Sequence, residues 1–93
     1  YGGEEFVILM PHTDVASGKL LAERIRQAVS SSPVRFGNRE EVAVTTSIGI
    51  AAALPGVDDK DLKTIGDSLL ARADVALYQA KASGRNRIEV AKA

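Results

Sequence analysis

The chain has 93 residues, of which 45% are hydrophobic and 26% are charged, as is typical of one small folded domain. Lys and Arg together number 12, and so do Asp and Glu, so no basic field is present to attract nucleic acid or anionic lipid. The sequence has no cysteine and a single histidine, which excludes a disulfide framework and a zinc site of thiolates or clustered histidines.

The hydrophobic runs are short. The longest are Phe6–Met10 and Ile48–Leu54, far below the roughly 20 residues that a membrane-spanning helix requires. Acidic Glu4 and Glu5 stand where a signal peptide would carry basic residues. We therefore expect this segment to make no membrane contact and to lie in the cytoplasm.

The first predicted elements are a strand and a helix. Phe6–Met10 is apolar without alternation and stops at Pro11, which favours a strand buried on both faces in the middle of a sheet. Thr13 or Asp14 is placed to cap a helix, whose apolar residues recur at helical spacing up to the break at Ser30–Pro33.

A hairpin is predicted next. Val34–Phe36 forms its first strand, Gly37–Glu40 its turn, and Val42–Ala53 a long second strand. Alternate residues of that second strand are small, so a helix or a ligand could approach its backbone closely on one face; these residues are Ala43, Thr45, Ser47, Gly49 and Ala51.

The last third of the chain is predicted to hold a loop, a helix and a strand. Residues 54–68 contain Pro, Gly and Asp and favour a loop with at most one helical turn. An apolar stripe from Leu69 to Ala80 predicts a helix that Gly84 ends, and Arg85–Val90 predicts a short strand. The order strand, helix, hairpin, helix, strand predicts an α/β (α+β) sandwich with a mixed sheet under helices.

Two groups of residues carry possible chemistry. Gly2 and Gly3 suit a tight turn, and the carboxylates of Glu4 and Glu5 follow at once, as a magnesium–triphosphate complex requires. A solvent-exposed hairpin tip is the alternative reading. The cations Lys81 and Arg85, around the end of the last predicted helix, either bind phosphate or simply offset the helix dipole.

Three motifs in the same order give the chain a family resemblance. The sequence resembles the GGDEF family of diguanylate cyclases, in the variant with glutamate at the third position of the signature. The motifs are Tyr1-Gly2-Gly3-Glu4-Glu5-Phe6, then Val44-Thr45-Thr46-Ser47-Ile48-Gly49-Ile50-Ala51, then Ala73-Asp74-Val75-Ala76-Leu77-Tyr78-Gln79-Ala80-Lys81-Ala82-Ser83-Gly84-Arg85-Asn86.

The resemblance implies an activity and an architecture. Enzymes of this family condense two GTP molecules into the bacterial second messenger cyclic di-GMP and release two pyrophosphates. Each domain presents one GTP, so a homodimer of domains, with Mg²⁺ or Mn²⁺ as cofactor, is implied. Residues 1–93 would form the carboxyl-terminal part of a single nucleotidyl-cyclase-like domain.

The resemblance also implies residue roles at the signature. Gly2 and Gly3 would lie along the nucleotide. Glu4 would bind metal and help to deprotonate the attacking 3′ hydroxyl, while Glu5 would assist in metal binding.

Three cations are assigned roles in the same way. Lys81 and Arg85 would hold the GTP phosphates. Arg24 matches the position of an arginine that, in product-inhibited members, contributes to a secondary inhibitory site for cyclic di-GMP.

The resemblance covers only the later half of such a domain. A metal-binding aspartate, the guanine pocket and an Arg-x-x-Asp inhibitory pattern would lie upstream, so we expect this chain alone to be inactive. The alternative function is a catalytically silent domain that senses GTP or cyclic di-GMP or serves in dimerisation. An unrelated α/β fragment would require the three motifs to coincide by chance.

Overall fold

The computed structural model describes residues 5–37, 40–53 and 61–92. Two helices and four short strands are formed there. In chain order they are α1 (Val15–Ser30), β1 (Val34–Phe36), β2 (Glu40–Val42), β3 (Ile48–Ile50), α2 (Leu62–Ala82) and β4 (Ile88–Val90). The α+β class predicted from the sequence is confirmed, with an antiparallel pair β1–β2 and a parallel pair β3–β4.

Helix α1 begins and ends where the sequence predicts. The Oδ1 atom of Asp14 accepts the Ser17 backbone N–H at 2.8 Å, which satisfies one of the free donors of the first turn. At the other end the Ser31 N–H donates to the Gln27 carbonyl at 3.0 Å. Gly18 and Ala22 are the buried residues of the helix, so its stripe of small residues is the face that packs inward.

The β3–α2–β4 unit forms the centre of the molecule. β3 and β4 pair in parallel, with Ile48 opposite Ile88 and Ile50 opposite Val90. Both α1 and α2 pack against these two strands. The buried hydrophobic side chains of the described residues come from α1, β3 and α2, and they are Ala22, Ile50, Ala76 and Ala80.

The small face of the strand was predicted to admit a helix or a ligand, and at Gly49 it is helix α2 that approaches it. A Cβ atom at this position would collide with the Ala73 carbonyl oxygen and the Leu77 amide nitrogen, and would lie 2.9 Å from the Leu77 Cα. Only glycine allows the backbones of β3 and α2 to approach this closely.

The predicted strand at Phe6–Met10 is wrong for this structure. Residues 5–10 form neither helix nor strand. Phe6 is 87% exposed and Leu9 83% exposed, where burial on both faces was expected. A strand requires a partner backbone, and no described strand supplies one. Met10 is less exposed than Phe6–Leu9, because its side chain packs against Gly18 on α1. Its Cε lies 3.4 Å from the point where a Cβ on Gly18 would stand.

The predicted long strand Val42–Ala53 is in fact two short ones. β2 pairs antiparallel with β1, from Phe36 opposite Glu40 to Val34 opposite Val42, which confirms the hairpin. Because the strands are antiparallel, Val42 lies opposite Val34, which is the first residue of β1 and follows Pro33. Residues 43–47 therefore have no β1 residue to pair with. β3 pairs instead with β4, so one stretch of sequence serves two separate sheets.

The predicted loop at residues 54–68 is wrong from residue 62 onward; residues 54–60 lie outside the described part of the chain. Helix α2 begins at Leu62, because Asp61 Oδ1 accepts the Thr64 N–H at 2.7 Å and caps it. Lys63 and Asp67 then form an i,i+4 ion pair at 2.8 Å. Against this support, one helical glycine costs only about 1 kcal/mol, so Gly66 does not stop the helix.

Helix α2 ends as predicted and the strand after it is shorter than predicted. Gly84, just beyond the helix, has φ +124°. Arg85 and Asn86, which were assigned to the strand, also have positive φ, at 65° and 48°. They therefore form a turn, and β4 starts at Ile88.

Candidate functional site

The first site feature joins the signature segment to the end of α2. The Nζ of Lys81 donates to Oε2 of Glu5 at 3.2 Å. Each side chain is about a third exposed, at 32% for Lys81 and 31% for Glu5. The structure therefore brings together two residues that the sequence analysis assigned to the same site, one as a metal ligand and one as a phosphate ligand.

Lys81 and Arg85 flank the carboxyl end of α2. Lys81 is the basic residue in the last turn of the helix. Arg85 lies in the exposed turn that follows, and its N–H donates to the Ala80 carbonyl at 2.9 Å, which closes the helix end. Lys81 and Arg85 therefore both lie at the carboxyl terminus of α2.

Of the remaining predicted site residues, the structure describes Arg24 alone. Gly2, Gly3 and Glu4 lie outside the described residues. Arg24 is exposed on α1, as a surface contact site requires.

A hydrogen-bonded chain that the sequence analysis did not assign connects α1 to the turn after α2. Arg26 Nη1 donates to Asn86 Oδ1 at 2.8 Å, and the Asn86 N–H donates to Ser47 Oγ at 3.2 Å. Asn86 belongs to the third motif, and its tolerance of the left-handed conformation was the available signal. Arg26 gave none, because a polar residue on a helix is usually a solvent-facing one.

Glu23 holds Arg26 in place. Its two carboxylate oxygens accept from Nε and Nη2 of Arg26, both at 2.7 Å, in a bidentate pair. The hydrogen bonds from Arg26, and a further one from Gln27, lower the pKa of Glu23 to about 2. The same pairing raises the pKa of Arg26, so both groups are charged at neutral pH.

A polar groove of about 390 Å³ lies beside this chain, between α1 and the start of β4. Three of its lining residues are cations and one, Glu23, is a carboxylate, so the groove is positively charged on balance. The lining residues are Lys19, Glu23, Arg26, Asn86, Arg87 and Ile88.

The donor chemistry suits a hard divalent cation, because carboxylate oxygens are the ligands that Mg²⁺ and Mn²⁺ prefer. Among the residues that the structure describes, however, no three His, Cys, Asp or Glu side chains lie close enough together to hold a metal. Glu5 would supply one carboxylate and Glu4 a second, so the remaining ligands would come from phosphate oxygens and from residues beyond those described.

Comparison with known proteins fits this arrangement. The family described as "Diguanylate cyclase, GGDEF domain" matches residues 1–87. The chain therefore belongs to the GGDEF-domain family of diguanylate cyclases. All three motifs noted in the sequence, from the signature at Tyr1 to the segment that ends at Asn86, lie within the matched residues.

Curated relatives and a solved structure agree. The chain is 49% identical over 89 residues to the response regulator PleD of Caulobacter vibrioides, covering 95% of this chain and 18% of PleD. It is 42% identical over 91 residues to the diguanylate cyclase DgcP of Pseudomonas aeruginosa, covering 98% of this chain and 12% of DgcP. The GGDEF domain of DgcB from Caulobacter crescentus, solved in complex with c-di-GMP, superimposes with a TM-score of 0.74 at 35% identity.

The chain matches only part of the length of each of these proteins. The superposition covers 90% of this chain but 45% of the DgcB chain, and the curated relatives are matched over less than a fifth of their length. Within the described ranges, neither helix combines the length and the apolar character that crossing a membrane requires.

Proposed function

We propose that residues 1–93 form the carboxyl-terminal part of a single GGDEF domain that, when complete, is a diguanylate cyclase. Two such domains would each present one GTP. The 3′ hydroxyl of each GTP would attack the α-phosphorus of the other, forming two phosphodiester bonds and releasing two pyrophosphates. The product would be cyclic di-GMP.

The observation that carries the proposal is the contact between Glu5 and Lys81. Family membership alone would leave the site as two motifs at opposite ends of the chain. The 3.2 Å approach of Lys81 Nζ to Glu5 Oε2 supports a single site formed by the signature and the end of α2. A carboxylate for a metal beside a cation for phosphate is the pairing that a metal–nucleotide complex requires.

The signature residues would act on the reacting end of the nucleotide. Gly2 and Gly3 would let the backbone lie along the phosphates, because a glycine leaves no Cβ in the way. Glu4 would accept the proton of the attacking 3′ hydroxyl. Glu4 and Glu5 would also hold Mg²⁺ or Mn²⁺, consistent with a family that is in general divalent-metal dependent; the cation, when bound, stabilises the negative charge that develops at phosphorus.

The cations at the end of α2 would hold the phosphates. Lys81 would supply a compact charge, and Arg85 a planar fork that matches phosphate oxygens.

Arg24 would serve a different site. It is exposed on α1, and we propose that it contacts the product cyclic di-GMP in an inhibitory complex.

The protein partner of the domain would be another GGDEF domain, because one domain presents only one of the two GTP molecules. We place the reaction in the cytoplasm, where GTP is available.

The test uses a domain extended upstream to the length of its solved relatives. It is incubated with GTP and Mg²⁺, and the products are followed by mass spectrometry. The unaltered domain should form cyclic di-GMP, and Glu4→Gln should lower the rate by about 100-fold or more, the usual cost of losing a general base. The matched control is Glu40→Gln, which alters an exposed glutamate of β2 and should leave the rate unchanged.

Each other outcome has a distinct meaning. A folded domain that binds GTP and forms no product would be a GTP-binding sensor, which contradicts the proposed enzyme. Equal rates for Glu4→Gln and the unaltered domain would remove Glu4 from the reaction and leave the enzyme in place.

A further inference from the structure

The turn that carries Arg85 has a backbone that requires support. Three consecutive residues have positive φ, at 124° for Gly84, 65° for Arg85 and 48° for Asn86. Glycine adopts such angles freely, and asparagine tolerates them, but arginine does not favour them. External contacts must therefore hold this turn in place.

Local hydrogen bonds close the turn, and longer-range hydrogen bonds anchor it to other elements. The Arg85 N–H donates to the Ala80 carbonyl at 2.9 Å within the end of α2. Two longer-range bonds involve Asn86, whose N–H donates to Ser47 Oγ and whose Oδ1 accepts from Arg26 Nη1 at 2.8 Å. A third joins the end of the turn to β3, where the Ile48 N–H donates to the Arg87 carbonyl at 3.0 Å. Asn86 is thus anchored to the residue before β3 on one side and to α1 on the other.

Arg26 is itself a rigid anchor. Glu23 grips its guanidinium in a bidentate pair, and the Arg26 side chain is only 20% exposed. The neighbouring Ala22 is 4% exposed, so this part of α1 is packed on the sheet. The guanidinium therefore reaches Asn86 from a fixed position, without the entropy cost of ordering a free side chain.

We propose that Arg26 and Asn86 are positioning residues for nucleotide binding, which fix the Gly84–Arg87 turn so that Arg85 is presented to the GTP phosphates in a set geometry. This inference rests on the proposed function of Arg85. It assigns Arg26 a role different from that of Arg24, two residues earlier on α1. It also makes α1 a contributor to substrate affinity through the turn.

The test measures KM for GTP and kcat in the upstream-extended domain. Arg26→Gln and Asn86→Gly each remove the same hydrogen bond, and glycine keeps the positive φ of position 86 free of strain. Each should raise KM for GTP by about tenfold, with a smaller change in kcat, the effect of losing one charge-assisted hydrogen bond. The double variant should raise KM no more than Arg26→Gln alone, because both changes remove the bond between Arg26 and Asn86, while only Arg26→Gln also breaks the pair with Glu23.

The decisive comparison uses an Arg85→Ala background. If Arg26 acts by positioning Arg85, Arg26→Gln should no longer raise KM once the Arg85 side chain is gone. An Arg26 that only stabilises the fold would have the same effect in both backgrounds. The matched control is Arg35→Gln, which breaks an exposed ion pair with Glu41 in the β1–β2 hairpin and should leave KM unchanged.

Failure of this proposal and failure of the proposed function give different results. An unaltered domain that makes cyclic di-GMP, with KM insensitive to both Asn86→Gly and Arg26→Gln, overturns the positioning role alone. Equal KM increases in the presence and absence of the Arg85 side chain do the same. An unaltered, folded domain that neither binds GTP nor forms product overturns the proposed function, and the positioning role with it.

Discussion

The Nζ of Lys81 lies 3.2 Å from Oε2 of Glu5, so the end of α2 and the signature meet across 76 residues of sequence. The pair is about a third exposed on each side. Solvent still reaches both groups and screens their attraction, so the pair contributes about 1 kcal/mol or less and matters mainly for the placement of two functional groups.

Lys81→Met should therefore separate function from stability. We expect about a tenfold or greater loss of GTP affinity in the extended domain, because a phosphate loses a charged partner. The thermal midpoint should change little. Isothermal titration with GTP and Mg²⁺, beside a thermal melt, measures both. Lys81→Arg should retain part of the affinity, since the charge remains while the geometry differs.

The control for that experiment lies on the same helix. Lys63→Met breaks the exposed pair of Lys63 with Asp67 near the start of α2, and GTP affinity should stay the same. Equal losses from the two variants would show that helix charge in general, and not a site at Lys81, governs affinity.

Gly49→Ala should destabilise the domain. The added Cβ would collide with backbone atoms of Ala73 and Leu77, which cannot rotate away as a side chain would. Overpacking of this kind costs about 3 kcal/mol, to be measured as a lower midpoint of urea unfolding. Gly66→Ala is the matched substitution on α2, where a Cβ would meet no atom within 4 Å.

Gly66→Ala should raise the free energy of unfolding by about 0.5–1 kcal/mol, because alanine is a better helix former than glycine. A destabilising Gly66→Ala would contradict the finding that α2 runs through residue 66.

The pairing of Glu23 with Arg26 predicts a dependence of stability on pH. Folding lowers the pKa of Glu23 from its ordinary value of 4.5 to about 2, chiefly through the Arg26 hydrogen bonds. A lowered pKa in the folded state means that the stabilisation is fully present above about pH 4.5 and is lost as the pH falls towards 2. The difference in thermal midpoint between the unaltered domain and Glu23→Gln should shrink across that interval. A difference that is constant with pH would contradict it.

The cap of α1 gives a second pH test. Hydrogen bonding to the Ser17 backbone N–H lowers the pKa of Asp14 below its ordinary value of 3.8. The contribution of its charge is therefore present above that value and is lost as the pH falls through the lowered pKa. Asp14→Ala should lower the thermal midpoint by about 2–4 °C at pH 7. Asp14→Asn should retain most of the cap but lose the acid dependence, which melts of both variants at several pH values would reveal.

Local signals predicted the parts of the fold that local chemistry controls. The start of α1 at Thr13 or Asp14, the apolar stripe of α2 and the end of that helix before Gly84 all follow from side-chain spacing and backbone preference, and the structure selects Asp14 as the cap. The small face at Gly49 was also predictable, because strand alternation reveals which residues share a side.

Predictions failed where pairing partners decide the outcome. Phe6–Met10 has the composition of a buried strand, yet it stays unpaired, because strand formation requires a second backbone that composition does not specify. The predicted strand from Val42 to Ala53 is divided between two sheets for the same reason. Its beginning pairs with β1, while residues 48–50 pair with β4. The start of α2 was missed because a cap at Asp61 and an ion pair outweighed one glycine.

The sequence by itself determined the family, the residues proposed for catalysis and phosphate binding, and the two helices, because motifs and helical periodicity are properties of neighbouring residues. Only the tertiary structure decided that Glu5 meets Lys81 and that Arg26 reaches Asn86. These contacts span 76 and 60 residues. They depend on how α1 and α2 pack against β3 and β4, and which helix meets which strand is decided by burial between residues far apart in sequence, which no local pattern encodes.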